Sequence, residues 1–122
     1  MRRINLAVVL VTVALVTAAV VAVSSASAAA PKLVGTVGPD FTITLKHGSA
    51  KVKTLKAGRY TIVVSDKSSS HDFHLFGPGV NKTTSIGGTG KAAWKVTFQK
   101  GKTYRFVCDA HATFMKGSFK VT

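Results

Sequence analysis

From Lys32 to the C-terminus no helical period persists for ten residues. The chain instead offers short β-type runs near 32–37, 41–46, 51–55, 59–65, 72–76, 92–98, 102–108 and 117–121. Between them stand Gly38-Pro39-Asp40, His47-Gly48-Ser49, Ala57-Gly58, Gly77-Pro78-Gly79, Gly87-Gly88 and Lys100-Gly101, combinations that favour chain reversal. Alternation places Phe41, Ile43 and Leu45 on one strand face, Trp94, Val96 and Phe98 on another, and Tyr104, Phe106 and Cys108 on a third. The stretch from Val80 to Lys91 has a single apolar residue in its middle, Ile86, and reads as a long surface loop. About eight short strands predict an all-β sandwich or barrel of Greek-key type, one compact domain. The remaining 94 residues after position 28 suffice for one core and no second domain.

The N-terminus is of another kind. Arg2 and Arg3 precede an apolar run from Leu6 to Val23 broken only by Thr12 and Thr17, and the small residues Ala26, Ser27 and Ala28 follow. This pattern predicts a secretory signal peptide over 1–28 and a mature domain over 29–122, with an uncleaved membrane anchor as the competing reading. The product is therefore expected outside the cytoplasm, at the cell surface or in a periplasm.

Charge narrows the partners. Beyond the leader, 15 Lys and Arg face four Asp and no Glu, a net +11. Such a body is drawn to an acidic partner protein or to the anionic cell envelope, with association weakening as salt rises. The lysines are spread over nearly every strand and turn, which is unlike a nucleic-acid groove, and the exposed aromatics of a single-strand binder are missing. A monomer is the default for so small a sandwich.

A single Cys in an exported chain needs a reason, because an oxidising compartment favours paired cysteines. His111 follows Cys108 by three residues and Met115 follows by four more, while His71 lies upstream at the start of another strand-like run. Thiolate, two imidazoles and a thioether form the donor set of a blue-copper site, with the Met at long axial distance. Soft sulfur donors suit Cu(I) and imidazoles suit both oxidation states. Zinc accepts the same Cys and His donors but seldom a thioether, so Met115 separates the two metals.

The segment from about Gly58 to Val121 resembles the cupredoxin family, of the plastocyanin and amicyanin type. The resemblance rests on Tyr104-Arg105-Phe106-Val107-Cys108, the Cys108-x-x-His111 loop with Met115 and Gly117, and His71-Asp72-Phe73-His74-Leu75 upstream. It implies one type 1 copper ion held by His71, Cys108 and His111 with Met115 axial, and a one-electron carrier rather than an enzyme. It also implies that the His111 ring reaches the surface through an apolar patch, expected to involve Phe76, Pro78, Ala112 and Phe114. Strand parity puts His71, Phe73 and Leu75 on the core face and turns Asp72 and His74 away. Asp72 stands where the family usually has Asn, and its carboxylate is expected to favour Cu(II). Two other classes fit the same ligands: a copper carrier or buffer that never cycles its charge, and a structural sandwich with a vestigial site.

Overall fold

The computed structural model describes residues 16–23 and 28–122. The predicted leader falls largely outside them, and among the described residues no helix is long and apolar enough to cross a membrane. Ten strands follow in order: β1 (Lys32–Val37), β2 (Ile43–His47), β3 (Ala50–Lys51), β4 (Thr54–Leu55), β5 (Gly58–Asp66), β6 (His74–Gly77), β7 (Val80–Thr83), β8 (Gly90–Phe98), β9 (Thr103–Val107) and β10 (Lys116–Val121). They form two five-stranded mixed sheets, ordered β3-β2-β1-β5-β8 and β4-β10-β9-β6-β7. The parallel pairs are β1 with β5 and β4 with β10. This is the all-β sandwich that the turn spacing predicts.

Alternation drives the packing. In β5, Tyr60, Ile62, Val64 and Asp66 point inward while the intervening residues are more exposed. Leu33, Val37, Ile62, Val64 and Phe98 of the first sheet meet Leu75, Tyr104, Phe106 and Phe119 of the second in one buried cluster. The aromatic rings form its spine: Tyr104 lies 4.7 Å from Phe98 and 5.7 Å from Phe119 between ring centroids. The buried Tyr104 hydroxyl is satisfied at both ends, donating to the Pro78 carbonyl and accepting from the Gln99 amide, each at 2.9 Å.

Three boundaries differ from the sequence expectation. Val80–Thr83 is a strand and not loop, pairing antiparallel with β6 across the Gly77-Pro78-Gly79 reversal. As an edge strand it buries only Val80, so its exposed Asn81, Lys82 and Thr83 carry no alternation to read. The run at 51–55 is two short strands in different sheets, parted by the buried Val52. The run at 72–76 becomes a strand only at His74.

Phe119 is 1% exposed and packs edge-on against Phe98 and face-on against Tyr104. Phe119→Ala is expected to cost about 3–5 kcal/mol through the cavity it leaves, measured as a shift in the denaturant midpoint.

Candidate metal centre

One end of the sandwich gathers the predicted donors, and hydrogen bonds show how. The segment joining β5 to β6 is tied down on three sides. Its Lys67 amide donates to the Val37 carbonyl at 2.9 Å. The buried Asp66 carboxylate accepts from the Ser68 amide at 3.2 Å and from the Thr84 hydroxyl at 2.7 Å. The Phe73 amide in turn donates to Thr84 Oγ1 at 2.9 Å. Phe73 is fully buried and stacks on Phe106 at 5.6 Å, which fixes the chain two residues past His71. Gly38, at φ 69°, leaves room beside this segment, since a Cβ there would come within 2.9 Å of Ser68 Cβ.

Cys108 continues the inward parity of Tyr104 and Phe106 beyond the end of β9 and is fully buried. A single 3-10 turn over Asp109–His111 then folds back on it. The His111 amide donates to the Cys108 carbonyl at 3.0 Å, the Met115 amide to the His111 carbonyl at 2.9 Å, and the Cys108 amide to the Met115 carbonyl at 3.0 Å. Gly117 follows because β10 crosses the Phe106 ring there, where any Cβ would collide with it.

The result is a triangle of donor atoms. Cys108 Sγ lies 3.7 Å from His71 Nδ1 and 3.6 Å from His111 Nδ1, and the two nitrogens are 3.1 Å apart. A circle through the three atoms has a radius of about 2.0 Å, close to the length of a metal–imidazole bond. Among the described residues this is the one group of three His, Cys, Asp or Glu side chains arranged to hold an ion. His71 and Cys108 are buried and His111 is half-buried. Met115, the fourth predicted donor, is 1% exposed and joined through its backbone to both Cys108 and His111.

Asp72 does not turn away as parity suggests. It precedes the strand, so the alternation does not apply, and it is 2% exposed. Its carboxylate accepts from the Asp109 amide at 2.6 Å and from the Thr83 hydroxyl at 3.3 Å. Burial, reinforced by contact with the Asp109 carboxyl, raises the Asp72 pKa. The Asp109 pKa is lowered, first by the hydrogen bond from Asp72 and then by His74.

His74 does face outward from the triangle, as parity predicts. Both its ring nitrogens meet oxygens, Asp109 Oδ1 at 3.0 Å and Asn81 Oδ1 at 2.7 Å. Burial alone would lower its pKa, but these hydrogen bonds outweigh that and leave it raised.

Sequence reasoning missed Phe41. Its ring lies edge-on to His71 at 5.3 Å and to His111 at 5.1 Å, and it touches Phe114 at 5.8 Å. Phe41 and Phe114 are 63% and 58% exposed, so an apolar rim surrounds His111 at the surface. Phe114 belongs to it as expected, whereas Phe76 packs on the His74 ring instead. Phe41 lies two residues before β2, outside the strand whose face alternation shares among Phe41, Ile43 and Leu45.

Residues 41–122 match the family described as copper binding proteins, plastocyanin/azurin family. The chain belongs to that family and is a cupredoxin. Solved structures agree on the fold. A reduced rusticyanin is 19% identical with a TM-score of 0.51, over 75% of this chain and 78% of that one. Dithionite-reduced auracyanin from Roseiflexus castenholzii is 17% identical with a TM-score of 0.54, over 78% and 99%. A chain of a haem-copper terminal oxidase dimer is 22% identical with a TM-score of 0.52, over 75% and 63%. No curated protein matches the chain significantly. In this cupredoxin, two imidazoles and a thiolate on so small a triangle fit one type 1 copper ion.

The raised His74 pKa gives a signed expectation. The folded state holds the His74 proton more tightly than the unfolded chain, so the stability this residue adds is complete below about pH 6.5 and fades as pH rises through the raised folded value. Denaturant midpoints of the wild type and His74→Asn should therefore differ most at mildly acidic pH and converge in the alkaline range.

Proposed function

We propose that this cupredoxin is an exported, monomeric carrier of single electrons, with His71, Cys108 and His111 as equatorial ligands and Met115 as the axial one. The carrying observation is the triangle itself: three donors already stand at bonding radius, held by backbone hydrogen bonds and by packing. Bound copper would supply the one-electron couple between Cu(I) and Cu(II). The protein's part is to hold one donor geometry for both states, because moving any donor would disturb the Cys108–Met115 loop or the Asp66–Thr84–Phe73 links.

Access is confined to one ligand. His71 and Cys108 are enclosed, while His111 is half-buried under Phe41 and Phe114. The exposed rings provide an apolar platform on which a redox partner can dock briefly, with His111 as the route for the electron. Enclosure of the two other donors also favours retention of the ion over delivery to an acceptor. Four protein donors leave no position for a substrate, so the chain acts as a carrier and not as an enzyme by itself. The net charge of +11 on residues 29–122 would steer it to acidic partners or the anionic envelope.

Adding Cu(II) to the thiol-reduced protein should produce an intense visible thiolate-to-copper band that is absent in Cys108→Ser. The loaded protein should then give a reversible one-electron wave in voltammetry. A band without a wave, with ready loss of Cu(I) to an acceptor protein, would establish copper carriage instead.

Met115 is tested separately. Replacing its soft thioether by a harder oxygen donor in Met115→Gln is expected to lower the reduction potential while the visible band persists. An unchanged potential would remove Met115 from the ligand set.

A further inference from the structure

The lysines are spread along the chain, but the acids are not. Asp40 precedes Phe41, Asp66 ends β5, and Asp72 and Asp109 are hydrogen-bonded beside Cys108, so all four lie at the copper end. Lys67, Lys82, Lys91 and Lys116 share that half and offset them. The whole net charge therefore resides in the other half. At its far end Lys53, Lys56, Arg59, Lys100, Lys102 and Lys120 are all exposed. Backbone links draw their segments together: the Lys120 amide donates to the Lys53 carbonyl at 3.1 Å, and the Val121 amide to the Lys102 carbonyl at 2.9 Å. Among the described residues the one ion pair is His74–Asp109, so no Asp or Glu side chain is paired with these six.

The N-terminal segment enters at this same end. The Thr61 amide donates to the Pro31 carbonyl at 2.9 Å, and residues 28–31 border a cleft shared with Arg59 and Lys95. A second cleft beside Pro31 is lined by His47, Lys56 and Arg59. The nine Cα-to-Cα steps from Val23 to Lys32 span at most about 30 Å when extended. Any bilayer that receives the apolar run ending at Val23 thus lies within that reach of the cationic end.

We propose that the end of the sandwich opposite the copper ligands docks on an anionic phospholipid surface, with lysine and arginine heads among the lipid phosphates and the His111 rim facing away. Continuity with the apolar leader favours a bilayer over an acidic protein. A broad cationic surface with shallow clefts also suits a fluid layer of headgroups better than one fixed shape. The proposal rests on the exported reading above with the apolar leader retained as a membrane anchor, and its test does not involve electron transfer. Vesicle binding can fail while the voltammetric wave persists, and the reverse.

The experiment compares sedimentation of the copper-loaded full chain with phosphatidylcholine vesicles and with vesicles that also contain phosphatidylglycerol. Binding to the first measures the leader alone, and the increment on the second measures the charges. The increment should be large and should fall with salt. Taking about five-fold per cation at an anionic surface, Lys53→Glu, Lys56→Glu and Lys100→Glu together should cut it by at least about 100-fold. The matched reversal of Lys67, Lys82 and Lys91 should cut it far less. Retention of the visible copper band confirms folding in each case, and the corresponding Lys→Gln triples repeat the comparison should a Glu triple lose that band. Equal losses from the two sets, or no preference for phosphatidylglycerol, would overturn the proposal.

Discussion

The Cys108 amide donates to the Met115 carbonyl while the Met115 amide donates to the carbonyl of His111. These two bonds close the ligand loop on itself, so three of the four donors share one rigid turn. Only His71 must be brought from elsewhere, and that task falls to Phe73 on the Phe106 ring and to the Asp66–Thr84 pair. The cost of ordering the site is met largely by interactions that do not involve a metal. That is the physical condition for a site in which an ion changes charge and its ligands stay where they are.

Burying polar groups around such a site is expensive unless each finds a partner. Asp66, His71 and Asp72 are the buried polar side chains of the domain, and all three stand at this end. Among the described residues no buried side-chain nitrogen or oxygen lacks a hydrogen-bond partner. Asp66 in particular does structural work for the ligands without touching them: its two oxygens hold Ser68 and Thr84, and Thr84 holds Phe73. The carboxylates of the chain are thus used as fixed acceptors for backbone and hydroxyl donors, and only Asp40 and Asp109 remain exposed.

What the sequence made legible follows from periodicity. Tyr104, Phe106 and Cys108 declare their inward face because β9 is flanked on both sides by partner strands and packs one face on the core. The CxxH spacing and the following Met are equally readable, since a short turn has few ways to fold. Asp72 was misplaced because alternation was extended two residues beyond the strand that generates it. β7 was invisible because an edge strand with one buried residue leaves no pattern, and its register comes from β6 instead. Phe41 reached the ligands by a tertiary route, across the reversal between β1 and β2, and no spacing within the chain encodes that contact. A cue did exist in the isolated aromatic just after Gly38-Pro39-Asp40, where a loop rather than a strand face is the expected setting.

Separating the two ends of the sandwich has a consequence for traffic through the site. Redox partners that dock briefly need a contact that forms fast and breaks fast, which an exposed pair of phenyl rings provides and a dense cationic field does not. A lysine cluster beside His111 would hold acidic partners too long, or hold the copper end against the envelope and hide it. With the net charge in the opposite half, long-range attraction can position the molecule while the short-range contact at Phe41 and Phe114 decides exchange. The antiparallel geometry makes this division simple. The same strands that lead to Cys108 and carry Leu75 inward toward one end deliver Lys102 and the Pro78 turn at the other, so charge at one end can change without moving a ligand.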